Sequence, residues 1–141
     1  MVLLSFSVKK DELLAGTKIR TTRLYTSEKW ALWNRTQLGG DLVLEGWWKP
    51  RTKEGFRIFK RKGAGLYRLK FRDYNGRLWP CMEEVLMPGY FTAMSFEGAY
   101  EWAKDEGFKN DLSGLLAFFE THYQPTEDMI FQSIAFPPKV V

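Results

Sequence analysis

The order of helix and strand patterns constrains the fold of this chain more than any other feature. A short helix pattern at 8–15 precedes strand patterns between 17 and 87, and two helix patterns between 95 and 125 precede a last strand pattern at 129–136. This order lacks the regular alternation of strand and helix that builds a doubly wound parallel sheet. It predicts a mixed α+β fold, a small closed or nearly closed β-barrel of about five to seven strands with two or three helices packed at its ends.

The length of 141 residues suits one domain, 1–141, because the chain shows no repeat and no linker-like stretch. Its first residues lack the basic start and the long apolar run of a signal peptide. No segment approaches the roughly 20 apolar residues that a membrane span needs. The single cysteine, Cys81, argues for a reducing compartment. We therefore expect a cytoplasmic protein without a membrane partner.

Capping residues mark the ends of the predicted helices. Ser7 is expected to cap the helix at 8–15 and Gly16 to end it. Ser95 and Asp111 are expected to begin the two later helices. The strand patterns lie at 17–24, 41–48, 55–61, 66–73 and 78–87.

Few residues that bind metal ions occur in the sequence. One cysteine and one histidine, Cys81 and His122, cannot supply a Cys/His zinc site within the chain. No Asp-rich loop indicates a magnesium or calcium site. We expect neither a metal nor a cofactor.

Positive charge is concentrated in the middle of the chain. Eleven Lys/Arg and two acidic residues lie between Lys49 and Arg77, which gives this segment +9 within a total of +4. From Leu78 onward the net charge is −7. Such segregation favours a polyanionic partner, RNA or another single-stranded nucleic acid. The alternative is a solvated hairpin whose charges only keep the protein soluble.

The basic segment at 49–77 is interpreted as an elaborated hairpin, with strands at 55–61 and 66–73 closed by residues 62–65. In the second strand Arg68, Lys70 and Arg72 share one face, which predicts an exposed cationic row. Lys49 and Arg51 would extend that row. Trp48 is predicted to stack a nucleic-acid base beside these cations, and Trp30, Trp33 and Trp102 are expected in the core.

A second cluster of polar residues lies at 16–23. Lys18, Arg20 and Arg23 bring three cations close to the hydroxyls of Thr21 and Thr22. Such a cluster can hold a phosphate or carboxylate through charge-assisted hydrogen bonds, and Gly16 would let a ligand approach the backbone. Alternatively, these residues form a Thr-rich edge strand whose long cationic side chains lie on the surface.

This stretch resembles the signature of ASCH domains, which belong to the PUA-like barrels. Gly16, Lys18, Thr21 and Arg23 match the pattern G-x-K-x-x-T-x-R in register. Three further features resemble the family in the same order: Gly40-Asp41 before a strand, the helix end Ala103-Lys-Asp-Glu-Gly-Phe108, and Tyr123-Gln-Pro125. The resemblance covers nearly the whole chain. It departs from the family between Trp47 and Trp79, where this chain is longer and more basic.

The basic segment and the resemblance together lead to two hypotheses of function that share one pocket. The first is binding of single-stranded RNA or a modified nucleotide in a basic cleft. The second is hydrolysis of acylated cytidine or a similar nucleoside amide, and a ribonuclease is a further possibility. In the amidohydrolases of the family a Thr-Lys-Glu triad maps onto Thr21, Lys18 and Glu106. Thr21 would be the nucleophile, Lys18 its base and Glu106 a ligand-orienting acid.

The spacing of the triad makes a structural demand. Residues 18 and 21 would face opposite sides of a regular strand. Lys18 must therefore lie in the turn before the strand, or a bulge must separate it from Thr21. If the basic hairpin serves the same ligand, its cationic row should border the mouth of this pocket.

Overall fold

A computed structural model describes residues 1–136, and within them the chain has eight strands and four helices. The strands are β1 (Val2–Phe6), β2 (Arg20–Leu24), β3 (Leu44–Trp48), β4 (Phe56–Arg61), β5 (Gly65–Tyr74), β6 (Arg77–Glu83), β7 (Phe91–Ala93) and β8 (Phe131–Ala135). The helices are α1 (Lys10–Ala15), α2 (Ser27–Asn34), α3 (Phe96–Ala103) and α4 (Leu112–Tyr123), and a wide helical turn, Lys104–Phe108, follows α3. The predicted α+β class is confirmed.

The strands form two separate sheets. In the smaller sheet, of order β1-β3-β4, β1 runs parallel to β3 and β3 pairs antiparallel with β4. The larger sheet, of order β2-β8-β5-β6-β7, is antiparallel throughout. Hydrogen-bonded pairing among residues 1–136 does not join the two sheets into a ring, so the predicted closure of a barrel is not seen in this pairing. None of the helices in this range is long and apolar enough to cross a bilayer.

Strand β8 of the larger sheet is buried on both faces. Ile134 of β8 packs into a core cluster that includes Leu4 and Leu44 of the smaller sheet. Phe131 of the same strand packs into a second cluster with Trp102 of α3 and Phe119 of α4. Strand β8 is therefore buried through Phe131–Ile134, as expected for a strand covered from both sides.

Local capping chemistry places three helix ends as predicted. Ser95 Oγ accepts a hydrogen bond from Gly98 N at the start of α3, and Asp111 accepts one from Gly114 N at the start of α4. Gly16 ends α1 with φ 76°, a left-handed conformation that glycine adopts at little cost. Ser7 does not cap α1, because the helix begins later and Lys9 occupies the cap position without a side-chain bond.

Three elements have no counterpart in the sequence patterns: β1, α2 and β7. Strand β1 alternates buried and exposed residues, a period of two that five residues display only weakly. Helix α2 buries one side chain, Trp33, and its apolar residues do not gather on one face. Trp33 and Trp102 are buried as expected, whereas Trp30 is half-buried.

The basic hairpin predicted at 49–77 is wrong. Strand β4 pairs with β3 in the smaller sheet, and β5 pairs with β6 and β8 in the larger one. The connecting residues Gly63 and Ala64 donate their N–H groups to the carbonyl of Thr36, at 2.8 and 3.2 Å, which directs the chain from one sheet to the other. The turn residues that indicated a hairpin instead form a crossover.

Close packing of β3 against β4 in the smaller sheet requires a glycine at position 46. A Cβ atom there would lie 2.1 Å from Cε2 of Phe59, whose ring stacks on Phe136 with centroids 4.4 Å apart. We expect Gly46→Ala to lower the free energy of unfolding by about 1–3 kcal/mol, since the core must shift to admit the methyl group. Urea denaturation measures this.

Gly65→Ala is the matched control for that experiment. A Cβ at Gly65 in β5 would meet only the Cβ of Ala135, at 3.8 Å. We expect its effect to stay within about 0.5 kcal/mol of zero, or to be slightly stabilising. Equal losses for the two variants would contradict the packing described at Gly46.

Candidate functional site

Lys18 lies in the turn between α1 and β2, one of the two arrangements that the spacing of the triad allows. Strand β2 begins only at Arg20, and the N–H of Lys18 donates to Glu12 O of α1 at 3.0 Å. Because Lys18 precedes the strand, the alternation of side chains along β2 does not determine which way its side chain points. It reaches the same cavity as Thr21.

Glu106 approaches Lys18 from the wide turn that follows α3. Gly107 has φ 89° within this turn, and a Cβ there would lie 3.0 Å from the Cβ of Lys18 and 3.3 Å from that of Glu12. A glycine therefore satisfies both the backbone conformation and the close approach. Ile19 N donates to Asp105 O at 2.8 Å, which holds the turn against the start of β2.

Lys18 and Glu106 form a buried ion pair. The Lys18 side chain is 7% exposed and that of Glu106 is 4% exposed, and Nζ lies 3.2 Å from Oε2. Nζ also donates to Arg20 O at 2.8 Å and to Glu106 O at 2.9 Å, so all three ammonium protons have acceptors. Burial lowers the pKa of Lys18, and the neighbouring Glu106 carboxylate opposes this shift.

Thr21 faces a cavity of about 520 Å³ between the edge strands of the two sheets, here called the β1–β2 cavity. Lys18, Glu106 and Arg23 line the same cavity. The remaining wall is largely apolar and aromatic, with Phe6, Phe108, Leu115, Phe118, Phe119 and Tyr123. Thr21 is 7% exposed, and its hydroxyl has no hydrogen-bond partner within residues 1–136. It is therefore available to a bound ligand.

Arg23 bridges the two sheets at this cavity. Its Nη2 donates to Ser5 O of β1, and its guanidinium lies 5.3 Å from the centroid of the Phe6 ring. Burial lowers the pKa of Arg23, while nearby Tyr123 and Glu106 oppose the shift. The guanidinium remains a cation at neutral pH because its ordinary pKa is so high.

Arg20 lies on the other face of β2. Its guanidinium lies 4.4 Å from the centroid of the Tyr67 ring, and Nη1 donates to Ser133 Oγ at 3.0 Å. It lines a separate cavity of about 350 Å³ that Asp105 also lines. The three cations predicted to cluster are thus divided, with Lys18 and Arg23 on one side and Arg20 on the other.

Two other residues of the stretch 16–23 have structural contacts. Thr22 lines the β1–β2 cavity, but its hydroxyl donates to Ser133 Oγ at 3.0 Å and accepts from Trp102 Nε1 at 3.2 Å. Gly16 lies outside this cavity, beside a different one lined by Lys104 and Lys109. Gly16 therefore acts in the structure as a helix end.

The predicted cationic row of β5 is not a row of free, exposed charges. Arg68 is half-buried and pairs with Glu83, with Nε 2.8 Å from Oε1, and its guanidinium lies 5.4 Å from the Tyr25 ring centroid. Lys70 and Arg72 are also half-buried, and Lys70 lies over the ring of Phe91. No residue of 49–77 lines the β1–β2 cavity, so the expectation that this row borders its mouth is wrong.

The remaining predicted residues lie at the end of β3 and in the turn that follows it. Trp48 is 9% exposed and belongs to the core, which corrects the prediction that it stacks a base. Lys49 is half-buried with Nζ 3.7 Å from Glu54, and Arg51 is exposed with φ 67°. These two cations belong to the surface of the smaller sheet.

Sequence reasoning missed Lys9 and most of the aromatic wall. Lys9 lines the β1–β2 cavity, with Nζ 4.0 Å from the centroid of the Phe108 ring. Phe108 and Tyr123 both lie in the stretches that resemble the family, and this position was the one sequence signal for their place in the cavity wall. Lys9 had none, because its place at the cavity depends on the left-handed backbone before α1.

Comparisons with family models, with curated proteins and with solved structures find no match for this chain. Among residues 1–136, no group of three or more His, Cys, Asp or Glu side chains is arranged to hold a metal ion. The chemistry of the site is therefore argued from its own geometry.

The buried ion pair allows a test of stability. Lys18→Met leaves the Glu106 carboxylate buried without its cation, and we expect a loss of about 3–5 kcal/mol in the free energy of unfolding. The double variant Lys18→Met/Glu106→Leu should recover much of this loss, because neither charge is then stranded. Urea denaturation of the single and double variants measures both quantities.

The exposed pair Arg35–Asp41 supplies the control, since its side chains are 52% and 65% exposed. Arg35→Met should cost much less than Lys18→Met, because water already solvates both charges of the exposed pair. A loss at Lys18 as small as that at Arg35 would show that the Lys18–Glu106 pair is solvated in solution.

Proposed function

We propose that this chain is an ASCH-type protein whose β1–β2 cavity binds an acylated cytidine or a similar nucleoside amide and hydrolyses its amide bond. One observation carries the proposal. Lys18, Thr21 and Glu106, drawn from segments 88 residues apart, line one cavity whose lysine is buried and has a lowered pKa. Perturbed ionisable groups beside an unengaged hydroxyl in a cleft are typical of catalytic sites.

The cavity suits a small heteroaromatic ligand. Its volume of about 520 Å³ falls within the range of roughly 300–1,000 Å³ usual for small-molecule sites. Five aromatic rings line it together with charged and hydroxyl side chains. A nucleobase can pack against the rings while its exocyclic amide meets Thr21.

The proposed reaction has two steps, transfer of the acyl group to Thr21 and hydrolysis of the resulting ester. Neutral Lys18 takes the Thr21 hydroxyl proton as Oγ1 attacks the amide carbonyl, and the tetrahedral intermediate forms. Lys18 then returns a proton to the departing exocyclic amine, which leaves the acyl group as an ester on Thr21. Water hydrolyses this ester, releases the carboxylic acid and restores the hydroxyl. Glu106 orients Lys18 and the ligand through this cycle.

The resting hydrogen bonds identify the step that a ligand must trigger. All three protons of the Lys18 ammonium are donated to acceptors other than Thr21. Lys18 must therefore lose a proton and turn the freed lone pair of Nζ toward Thr21, so that the Thr21 hydroxyl donates to it, before it acts as a base. The desolvation that lowers its pKa favours that loss.

Deacylation of N4-acetylcytidine tests the proposal. We expect the wild-type chain to release acetate and cytidine, and Thr21→Val to lose at least about a hundredfold in kcat/KM because no nucleophile remains. Thr21→Ser retains a hydroxyl and should keep measurable activity. Chromatography of the nucleoside product measures all three rates.

Thr121→Val is the matched control, because Thr121 lies exposed on α4 outside the cavity. Its activity should equal that of the wild type. Undiminished activity in Thr21→Val would remove Thr21 as the nucleophile, and no activity on acylated cytidines would overturn the hydrolase proposal.

A second candidate is binding of single-stranded RNA on the smaller sheet, supported by the surface around β4. Arg51, Lys53, Lys60 and Lys62 are exposed, and among residues 1–136 none of them forms an ion pair. A surface of this kind attracts the phosphates of a nucleic acid without reading its bases. We propose that both activities take place in the cytoplasm, the reducing compartment expected from the sequence.

A labelled oligonucleotide titrated at several salt concentrations tests the second candidate. Affinity should fall with salt with a log-log slope near −0.7 for each neutralised phosphate. The triple variant Arg51→Glu/Lys53→Glu/Lys60→Glu should bind at least about tenfold more weakly and show a shallower slope.

The control carries the same change of net charge elsewhere, as Lys29→Glu/Arg77→Glu/Lys104→Glu, at three exposed positions. It should retain most of the affinity. Equal losses in the two triple variants would show that net charge alone governs binding. No binding of the wild type at low salt would refute this candidate.

We also propose that the two sheets together form the nearly closed barrel of a PUA-like fold. In a PUA-like barrel the two sheets would complete one curved wall, and here Arg23 links the edge strands β1 and β2 through its bond to Ser5. We place the opening of a nearly closed barrel at this junction. The β1–β2 cavity lies there.

A further inference from the structure

The β1–β2 cavity carries more positive charge than its own carboxylate can neutralise. Lys9, Lys18 and Arg23 line it, and Glu106 is the one carboxylate that residues 1–136 contribute to its wall. Glu106 is already engaged by Lys18 at 3.2 Å. Two cations, Lys9 and Arg23, are left facing the cavity without an acidic partner in the described part of the chain.

Arg23 is held for a ligand by neutral groups. Its Nη2 donates to the carbonyl of Ser5, and its guanidinium lies over the Phe6 ring. A guanidinium has five N–H donors in a planar fork that matches the oxygens of a phosphate. The contacts that position Arg23 use one of these donors, and none of them cancels its charge.

Lys9 supplies the second cation from the position before α1. Its backbone has φ 63°, a conformation that a lysine adopts at some cost, and its side chain makes no capping bond to α1. Nζ lies instead over the Phe108 ring, 4.0 Å from the centroid. Its charge is close enough to Lys18 to lower the pKa of that residue, although burial is the larger cause.

An uncharged nucleoside would leave both cations uncompensated in a partly desolvated cavity, whereas a phosphate would satisfy both. We infer that the ligand of this cavity is a nucleoside monophosphate, with Arg23 and Lys9 binding its phosphate group. This inference rests on the proposed function, since it assumes that a nucleobase occupies the aromatic part of the cavity. It adds the phosphate as the feature by which this chain selects its substrate.

Isothermal titration with cytidine and with cytidine 5′-monophosphate tests the inference. We expect the monophosphate to bind the wild-type chain at least about tenfold more tightly, and the ratio of the two affinities to shrink as salt is added. Lys9→Gln and Arg23→Gln should each reduce the ratio severalfold by weakening monophosphate binding, with little effect on cytidine. Arg23→Lys keeps a charge and should retain part of the preference.

Lys10→Gln is the matched control. Lys10 is the exposed neighbour of Lys9, lies outside the cavity wall and extends over the rings of Trp48 and Phe56. It should leave the ratio unchanged. Urea denaturation of each variant separates loss of a contact from loss of the fold, and Lys9→Gln, at a half-exposed position, tests the inference even if Arg23→Gln unfolds.

The outcomes distinguish failure of the phosphate site from failure of the nucleoside site. Equal affinities for cytidine and its monophosphate would overturn the phosphate site while leaving a nucleoside site in place. A preference for the monophosphate that survives in both Lys9→Gln and Arg23→Gln would also overturn it. If neither compound binds at millimolar concentration, the proposed function itself fails.

Discussion

The contact between Lys18 and Glu106 joins parts of the chain that no strand pairing connects. Lys18 precedes the edge strand of the larger sheet, and Glu106 lies in the turn that leaves α3. Two buried charges are tolerated only where each finds partners, and here the ammonium meets two backbone carbonyls besides the carboxylate. The pair thereby fixes the turn, the start of β2 and one wall of the cavity together. Gly107 is the residue that lets the two backbones approach closely enough.

Strand β2 distributes polar groups to two different environments. Its alternation sends Thr21 and Arg23 toward the β1–β2 cavity and Arg20 toward Tyr67. The turn after α3 makes a similar division, with Glu106 on the first side and Asp105 on the second. A polar cluster that is continuous in sequence is thus divided between two sites, and only one half of it meets the aromatic wall.

The parts of the fold predicted from the sequence are those decided by neighbouring residues. Ser95, Asp111 and Gly16 act within one helical turn, so their roles follow from residue type and spacing. The site residues 18, 21 and 106 were proposed from a resemblance, and their convergence depends on Lys18 lying before the strand. The predicted hairpin was wrong because the N–H groups of its expected turn donate to the carbonyl of Thr36, which is distant in sequence. The prediction that Arg68 is an exposed, unpaired cation was wrong for the same reason, because the pairing of β5 and β6 places Glu83 beside it.

The position of positive charge matters more here than its amount. The segment 49–77 carries most of the basic residues, yet it contributes none to the wall of the β1–β2 cavity. Exposed cations around β4 act through water, where salt screens them over about 10 Å. Lys9 and Arg23 face a confined, largely apolar space in which the effective dielectric constant is lower and each charge acts more strongly on a ligand. Two cations in such a cavity would therefore discriminate between small molecules of different charge, whereas the larger exposed charge would act on any polyanion alike.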